Sequence, residues 1–452
     1  MFAQTHVNGK NEGVNSFIVQ IRDKDMRPCR GVMIEDMGMK IGLNGIDNGR
    51  LMFDHVRVPR TAMLNAFNDV TAEGKFVSDI PKASQRFFKV ADRLLSGRLC
   101  IAAMSITSAK LCIHHAIRYS QQRMGIGRKG LSDMPIMAYQ LQQNALLPML
   151  ARTIVLNLGY NKAKDLFVNP TGKEHTQIRS FCSAKTIITW HLEEMGTICR
   201  ERTGGGSFLR GSAIPDCMIS SHSGMTAEGD NRVLMQKVVK DILSDMQKGK
   251  HDLPKMTMCP KRQIPTKSSV GDFETLKNLI FYKENAEIKT FGKMLQKKIM
   301  EEGQSFFDVW MYQVSDEIQS LATAFGQRYM LEGALTYLAD CQDAKTKALL
   351  EATIRLHMLA LVKQNLAWYQ IDGAVSDEAA ARLDSELDQA VKEYVPHTNT
   401  ALASLGLCET QERMGTIARD YVAYNSQPDA ENLKSAGALF DFTKTGEARP
   451  RL

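Results

Sequence analysis

The chain has 452 residues, of which 44% are hydrophobic and 24% are charged. This length is sufficient for two or three domains that each bury a core of their own. No segment approaches the roughly 20 uncharged apolar residues that a membrane helix requires, and the first residues lack the apolar run of a secretory signal. The composition therefore predicts a globular protein of the cytosol or an organelle, without a membrane span.

The charged residues and the cysteines exclude other classes of protein. Lys and Arg number 57 against 50 Asp and Glu, which gives a net charge of +7. This charge suits a polyanionic ligand, but the basic residues do not form the stripes typical of nucleic-acid-binding proteins. The nine cysteines include no CxxC pair, so neither a zinc site nor a disulfide framework is indicated. We expect neither a nucleic-acid partner nor a bound metal.

Residues 1–83 have the pattern of β structure. Phe17–Ile21 is a short apolar run, Leu51–Phe53 leads into a second run that ends at Pro59, and glycines punctuate the segment at turn-like intervals. A free-standing sheet of so few strands would leave an open edge and an uncovered face. We therefore expect the C-terminal part of a β-domain whose first part lies upstream.

A helical pattern extends over residues 84–247. Apolar residues between Ile178 and Cys199 recur at spacings of 3, 7, 4, 3 and 4, which places them on one stripe of a helix. Further helices are predicted at about 85–123, 134–168 and 231–247. The number of helices predicts a four-helix bundle in this domain.

A second helical region follows a predicted linker at residues 248–270, which contains three prolines and six basic residues. Long helical patterns return in residues 271–452, where Asp372 and Gly373 mark a helix end. The predicted fold class is therefore mainly α with a small β portion. It comprises a partial β-domain, a four-helix bundle and a second all-α domain.

Three consecutive glycines lie in the most informative segment, Thr203 to Gln236. Gly204 and Gly205 lack Cβ atoms, so their backbone could approach an adenosine or a phosphate closely. A glycine cap at the end of the preceding helix is the simpler explanation of these residues taken alone. The glycines by themselves leave both interpretations open.

Glu228 lies a few residues further on, just before a predicted helix. Asp230 or Asn231 can cap that helix, so Glu228 would be held on a rigid support. A carboxylate in this position could act as a base, or it could only stabilise the positive end of the helix dipole. The residues alone do not decide between these two roles.

Several stretches, in one order, resemble the acyl-CoA oxidase family, which is related to the acyl-CoA dehydrogenases. They include VNGKNEGVNSFIVQIRD, DMGMKIGLNGIDNGRLMFDHVRVPRTAMLN, SGRLCIAAMSITSAKLCIHHAIRYSQQR, YQLQQNALLPMLA, CRERTGGGSF and AEGDNRVLMQ. Motifs that recur in one order are more specific than any single motif. The resemblance implies an FAD-dependent flavoenzyme that oxidises a fatty acyl-CoA to a trans-2-enoyl-CoA, with oxygen reduced to hydrogen peroxide. The second helical domain resembles the extra C-terminal domain of the oxidases.

The resemblance implies a catalytic role for Glu228. The family's base lies in a motif of an aromatic residue, Glu, Gly, an acidic residue and Asn, and Glu228 matches its glutamate. This base removes the α-proton of the substrate, while its backbone amide stabilises the charge that develops on the thioester oxygen. Asp230, in the same motif, is assigned to the cofactor. Ala227 replaces the usual aromatic residue.

The resemblance also implies how the ligands are held. Arg123 matches an arginine that binds the FAD pyrophosphate of the neighbouring subunit, and Gln140 matches a glutamine near the same cofactor. Gly204 and Gly205 match glycines at the adenosine end. Arg98 falls where the family contacts acyl-CoA, although a surface ion pair is an alternative. FAD sites that are shared between subunits imply a homodimer.

The terminal residues Pro450, Arg451 and Leu452 are similar to a variant peroxisomal address, although an ordinary terminus is an equal alternative. Two other functions stay open. The resemblance implies that this sequence starts after the family's N-terminal helical domain and the flavin-contacting half of its β-domain, which is expected of a fragment or of a shortened paralogue; a non-catalytic interaction subunit is therefore one alternative. An acyl-CoA dehydrogenase that passes electrons to a transfer protein is the other.

Overall fold

A computed structural model describes residues 1–83, 85–86, 94–171, 174–250, 253–257, 260, 270–418 and 420–421. The structure is 65% helical with a few small sheets, which confirms the predicted fold class. The described residues form two compact units, Met1–Gly97 and the residues from Arg98 onward. Much of the predicted linker 248–270 and the C-terminal tripeptide lie outside the described residues. The domain boundaries drawn from the sequence stay predictions.

The first unit contains three antiparallel β-hairpins. Their strands are β1 (Phe2–Val7), β2 (Lys10–Ser16), β3 (Val32–Asp36), β4 (Gly49–Phe53), β5 (Asn68–Val70) and β6 (Phe76–Ser78). The apolar run at Leu51–Phe53 lies in β4, whereas Phe17 forms an isolated bridge with Met63. Arg86 donates to the Glu12 carboxylate at 2.8 Å, and both side chains are more than nine-tenths buried. This pair joins the end of the unit to β2.

The second unit begins with five helices that include all those predicted in the first bundle. They are α1 (Leu94–Gln122), α2 (Gln140–Val168), α3 (Glu174–Arg202), α4 (Ile214–Thr226) and α5 (Asn231–Gln247). A small hairpin of β7 (Met124–Ile126) and β8 (Ser132–Pro135) connects α1 to α2. The predicted stripe of α3 is buried from Phe181 to Cys199 and packs against α2, α4 and α5.

Helix α4 lies in a segment for which the sequence pattern predicts no helix. Its buried face consists of Ile214, Cys217, Ser221 and Gly224, which recur at helical spacing but are mostly small or polar. A Cβ on Gly224 would lie 3.0 Å from the Thr189 side chain of α3, so glycine permits the close packing of the two helices. Because large apolar residues are few on this face, the helical period was not visible in the sequence.

The second half of the unit is also helical. Its elements are α6 (Phe273–Gln296), α7 (Phe306–Tyr312), α8 (Ser315–Asp340), α9 (Ala344–Gln364), α10 (Leu366–Asp372), α11 (Asp377–Tyr394), α12 (Thr398–Ala403) and α13 (Glu409–Arg413). Helix α8 packs against α2, α3 and α5, and α9 packs against α2. Gly333 of α8 faces Gly159 of α2 so closely that a Cβ on Gly333 would lie 2.6 Å from the Gly159 Cα. Helices of both predicted α-domains thus share one core.

Helix α1 is long and apolar enough over residues Leu95–Gln122 to cross a membrane, by length and composition only. The mean hydropathy of the most apolar window is 1.3, and 56% of that window is buried inside the protein. Residues such as Ile106, Ile113 and Ile117 are almost fully buried. This burial is typical of the central helix of a bundle.

Candidate functional site

The loop between α4 and α5 carries Glu228. Its backbone is unusual, because Glu228 has φ of 57° and Gly229 has φ of 104°. A side chain in the left-handed region is sterically unfavourable, and such residues cluster at functional sites. Asp230 caps α5, since its carboxylate accepts from the amides of Arg232 and Val233 at 2.9 and 3.3 Å. The predicted cap is thus Asp230, and Asn231 is the first residue of the helix.

Lys185 lies beneath this loop and was not identified in the sequence analysis. Its ammonium donates to the carbonyl oxygens of Met225 and Gly229 at 3.1 and 2.7 Å and to Asn231 Oδ1 at 2.8 Å. The side chain is buried, and burial lowers the pKa of Lys185 to about 8, although the nearby Asp230 carboxylate opposes this shift. A lysine on the apolar stripe of α3 was the signal in the sequence.

Arg98 lies at the same loop. Its Nε donates to the carbonyl oxygen of Glu228 at 3.4 Å, and its Nη1 donates to Cys182 Sγ at the same distance. The structure therefore brings together Arg98, Glu228 and Asp230, which the sequence analysis had selected on motifs more than a hundred residues apart. The Glu228 side chain is exposed to solvent in the chain by itself.

A second group of predicted residues surrounds the glycines. Gly204 and Gly205 form a 3-10 turn directly after α3, where Gly204 has φ of 60°. A Cβ at either position would meet no atom within 4 Å, so the backbone of this turn faces open space. An exposed backbone of this kind is accessible to a ligand, and the left-handed Gly204 directly after α3 also fits a glycine cap of that helix, so both interpretations of the glycines stay open.

Two tyrosines, Tyr119 and Tyr421, lie between Arg123 and the glycine turn and connect them by contacts. The next glycine, Gly206, lies beside Tyr119, because a Cβ placed on it would be 3.9 Å from the Tyr119 ring. The rings of Tyr119 and Tyr421 are 5.2 Å apart, and Arg123 Nη1 donates to the Tyr421 hydroxyl at 3.0 Å. The exposed guanidinium therefore has a partner within the chain.

Gln140 is bound elsewhere. It is the first residue of α2, and its Nε2 donates to Asp388 Oδ2 of α11 at 2.8 Å. Asn144, one turn further along α2, donates to the other oxygen of Asp388 at 2.7 Å. In this chain Gln140 therefore joins the first helices to the second half of the unit.

Helix α4 separates the two groups of residues. The glycine turn precedes α4 and the Glu228 loop follows it. At a rise of about 1.5 Å per residue, the 13 residues of α4 span roughly 20 Å. Glu228 and Arg98 therefore lie at one end of this helix, and Gly204, Gly205 and Arg123 lie towards the other.

Comparisons with known proteins agree on one family. The acyl-CoA oxidase C-alpha1 domain matches residues 92–243, and a second acyl-CoA oxidase domain matches residues 274–398. Peroxisomal acyl-coenzyme A oxidase 3 of Arabidopsis thaliana is 30% identical over 441 residues, which cover 94% of this chain and 64% of that protein. The chain belongs to the acyl-CoA oxidase family, as its motifs indicated.

Solved structures show the same fold. Acyl-CoA oxidase 1 of Arabidopsis thaliana superposes with a TM-score of 0.81 at 22% identity, covering 99% of this chain and 69% of that one. Acyl-CoA oxidase-1 of Caenorhabditis elegans, solved with FAD and ATP, superposes with a TM-score of 0.79 at 20% identity, covering 99% and 67%. The chain spans about two thirds of the length of these proteins.

Proposed function

We propose that this chain carries the proton-abstracting site of an FAD-dependent acyl-CoA oxidase. The reaction would convert a fatty acyl-CoA to a trans-2-enoyl-CoA and reduce oxygen to hydrogen peroxide, the first step of peroxisomal fatty acid β-oxidation. The observation that carries the proposal is the Glu228 loop. It holds a carboxylate in a strained conformation between two helices, with Arg98 beside it. Strain of this kind persists only where the surroundings enforce it.

The residues of the loop would act on the α-carbon of the substrate. The Glu228 carboxylate would accept the α-proton, a task for which a carboxylate shielded from water is a stronger base. Because Glu228 is exposed in the chain by itself, the bound acyl chain would supply that shielding. The amide of Glu228 would donate to the thioester oxygen, and Arg98 would bind the acyl-CoA.

The residues present fit FAD. Arg123 offers a permanently charged guanidinium, and Gly204 and Gly205 offer open backbone, which suit a pyrophosphate and an adenosine respectively. When bound, FAD would supply the acceptor for the hydride that leaves the β-carbon. Gln140 and Asp230 are further proposed cofactor residues. To contact FAD, Gln140 would have to give up its hydrogen bond to Asp388. The FAD in the Caenorhabditis elegans structure supports this cofactor.

A homodimer would account for the separation of the two groups. Arg98 and Arg123 lie near opposite ends of α1, roughly 38 Å apart at a rise of about 1.5 Å per residue, so one flavin ring beside Glu228 need not reach Arg123 of the same chain. In a symmetric dimer, Arg123 and the glycines of one subunit would instead hold the flavin that faces Glu228 of the other. The names of the Arabidopsis thaliana relatives support a peroxisomal location.

The test is the substitution Glu228→Gln in the protein loaded with FAD. This variant retains the shape of the side chain and removes the base, so it should bind FAD and lose its bleaching by acyl-CoA under anaerobic conditions. Glu378→Gln, in the exposed first turn of α11, makes the same charge change away from the loop and should reduce normally. Normal bleaching in Glu228→Gln would refute the role of Glu228.

The same experiment separates the alternatives. Release of hydrogen peroxide under air identifies an oxidase, whereas turnover that requires an added electron-accepting dye identifies a dehydrogenase. A non-catalytic interaction subunit is favoured by two observations, the exposed Glu228 side chain and the occupation of Arg123 by Tyr421. A wild-type chain that shows no flavin absorbance after incubation with FAD would support this second function.

A further inference from the structure

We infer that Lys185 is the positioning residue of the Glu228 loop. Its ammonium would hold the loop in the one conformation that directs Glu228 towards the substrate. This inference rests on the proposed function for the role of Glu228, but the anchoring of the loop by Lys185 can be measured without catalysis.

The contacts of Lys185 join the loop to the helices on both sides of it. Met225 lies in the last turn of α4, where carbonyl oxygens have no partner within the helix and favour a cation. Gly229 is at the centre of the loop, and Asn231 is the first residue of α5. One ammonium with three N–H donors therefore binds the helix end, the loop and the next helix start together.

A second contact from α3 strengthens the anchor. Asn231 Nδ2 donates to Thr189 Oγ1 at 2.9 Å, and Thr189 is one turn beyond Lys185 on the same helix. Lys185, Thr189 and Asn231 are all buried. Because buried hydrogen bonds to a charged group contribute more than neutral ones, the loss of Lys185 would release the loop more than the loss of Thr189.

The backbone of the loop needs such an anchor. Glu228 occupies the left-handed region, which is unfavourable by about 1 kcal/mol or more for a residue with a side chain. Without the bonds to Met225 and Gly229, the loop can relax to an ordinary conformation, and the carboxylate then points elsewhere. The strained geometry is thus tied to Lys185 rather than to the local sequence.

Hydrogen exchange of the full chain tests the anchor. Lys185→Met keeps the length of the side chain and removes the ammonium, so amides of 225–231 should exchange at least roughly tenfold faster than in the wild type. Lys283→Met is the matched control, because Lys283 is another buried lysine, paired with Glu287 in α6 away from the loop. It should leave the exchange of 225–231 unchanged. Equal protection of this segment in Lys185→Met and the wild type would overturn the inference.

The wild-type chain provides a test that needs no variant. Four groups influence the ammonium: Asp230 and Glu228 of the loop, Arg98 of α1 and Cys182 of α3. Burial raises the pKa of Cys182, so that thiol stays neutral where Lys185 titrates. Opening of the loop would return the ammonium to water and towards its ordinary pKa of about 10.4, so the open state would bind more protons and protection of 225–231 should rise as pH rises from about 7 to about 9. Protection that is constant over this range would also count against Lys185, even if Lys185→Met does not fold.

Reduction of bound FAD by acyl-CoA separates this inference from the proposed function. Lys185→Met should slow the reduction about tenfold or more at saturating acyl-CoA while the affinity for acyl-CoA changes less than about twofold. If Lys185 only stabilised the fold, Lys185→Met would lower both the rate of flavin reduction and the affinity for acyl-CoA. If Lys185→Met loosens the loop but even the wild type never reduces flavin, Lys185 is the anchor and the proposed oxidase function is rejected. If the wild type reduces flavin but the exchange of 225–231 is unchanged in Lys185→Met, only the anchoring role of Lys185 is rejected.

Discussion

The strained backbone at Glu228 predicts that glycine at this position is at least as stabilising as alanine, the reverse of their order within a helix. Glu228 has φ of 57°, which glycine adopts readily and every other residue adopts at a cost of about 1–2 kcal/mol. Glycine loses more entropy on folding, which offsets about 0.5–1 kcal/mol of that difference. Glu228→Gly should therefore be as stable as Glu228→Ala or up to about 1.5 kcal/mol more stable.

Urea unfolding of both variants measures this difference by linear extrapolation. Ala348 provides the reference, because it is exposed within α9, where Ala348→Gly should lose about 1 kcal/mol of unfolding free energy. The sign of the change from alanine to glycine should thus differ between the two sites. If the unfolding free energy of Glu228→Gly is lower than that of Glu228→Ala by as much as Ala348→Gly lowers it, Glu228 does not adopt the left-handed conformation.

Two further predictions concern the helical core. Gly159→Ala should destabilise the protein by about 1–3 kcal/mol in urea unfolding, because the new methyl group would lie 2.6 Å from the Cα of Met330 in α8. Burial lowers the pKa of His357 to about 3, so the folded state keeps this imidazole neutral while the unfolded state binds a proton below about pH 6.5. Stability should therefore fall as pH decreases from about 6.5, and His357→Gln should reduce that slope by up to about 1.4 kcal/mol per pH unit.

Each of these substitutions has a matched control. Gly292 lies within α6 with no atom within 4 Å of its Cβ position, so Gly292→Ala should stabilise the protein by up to about 1 kcal/mol. Equal effects at both glycines would contradict the close packing of α2 and α8. His222 is exposed on α4, and His222→Gln is the matched control for the loss of an imidazole. A slope that His357→Gln does not alter would show that this imidazole is charged in the folded protein.

The sequence predicted most helices of the second unit because their apolar residues recur with the helical period. The stripe ending at Cys199 is buried as expected, and the cap of α5 is one of the two residues considered. Helix α4 was missed since its buried face is made of small and polar residues. The period of a helix is visible in a sequence only where large apolar side chains mark it.

The candidate site was predicted in part. Family motifs selected Glu228 and Arg98, and the structure places Arg98 at the Glu228 loop. The motifs did not indicate that Gln140 binds Asp388 or that Arg123 binds Tyr421, because each partner is more than 200 residues away in the chain. Contacts over such distances depend on how helices pack, which no local pattern records.

What this sequence determined by itself is therefore the set of chemical groups and the helices that carry them, since propensity, capping and periodicity act between near neighbours. Tertiary structure decided which groups meet. In the sequence, Lys185 resembles an ordinary helical residue. Because α3 packs beneath the loop between α4 and α5, its ammonium is buried with three carbonyl-type oxygens as partners. Only that packing turns a lysine into a support for Glu228.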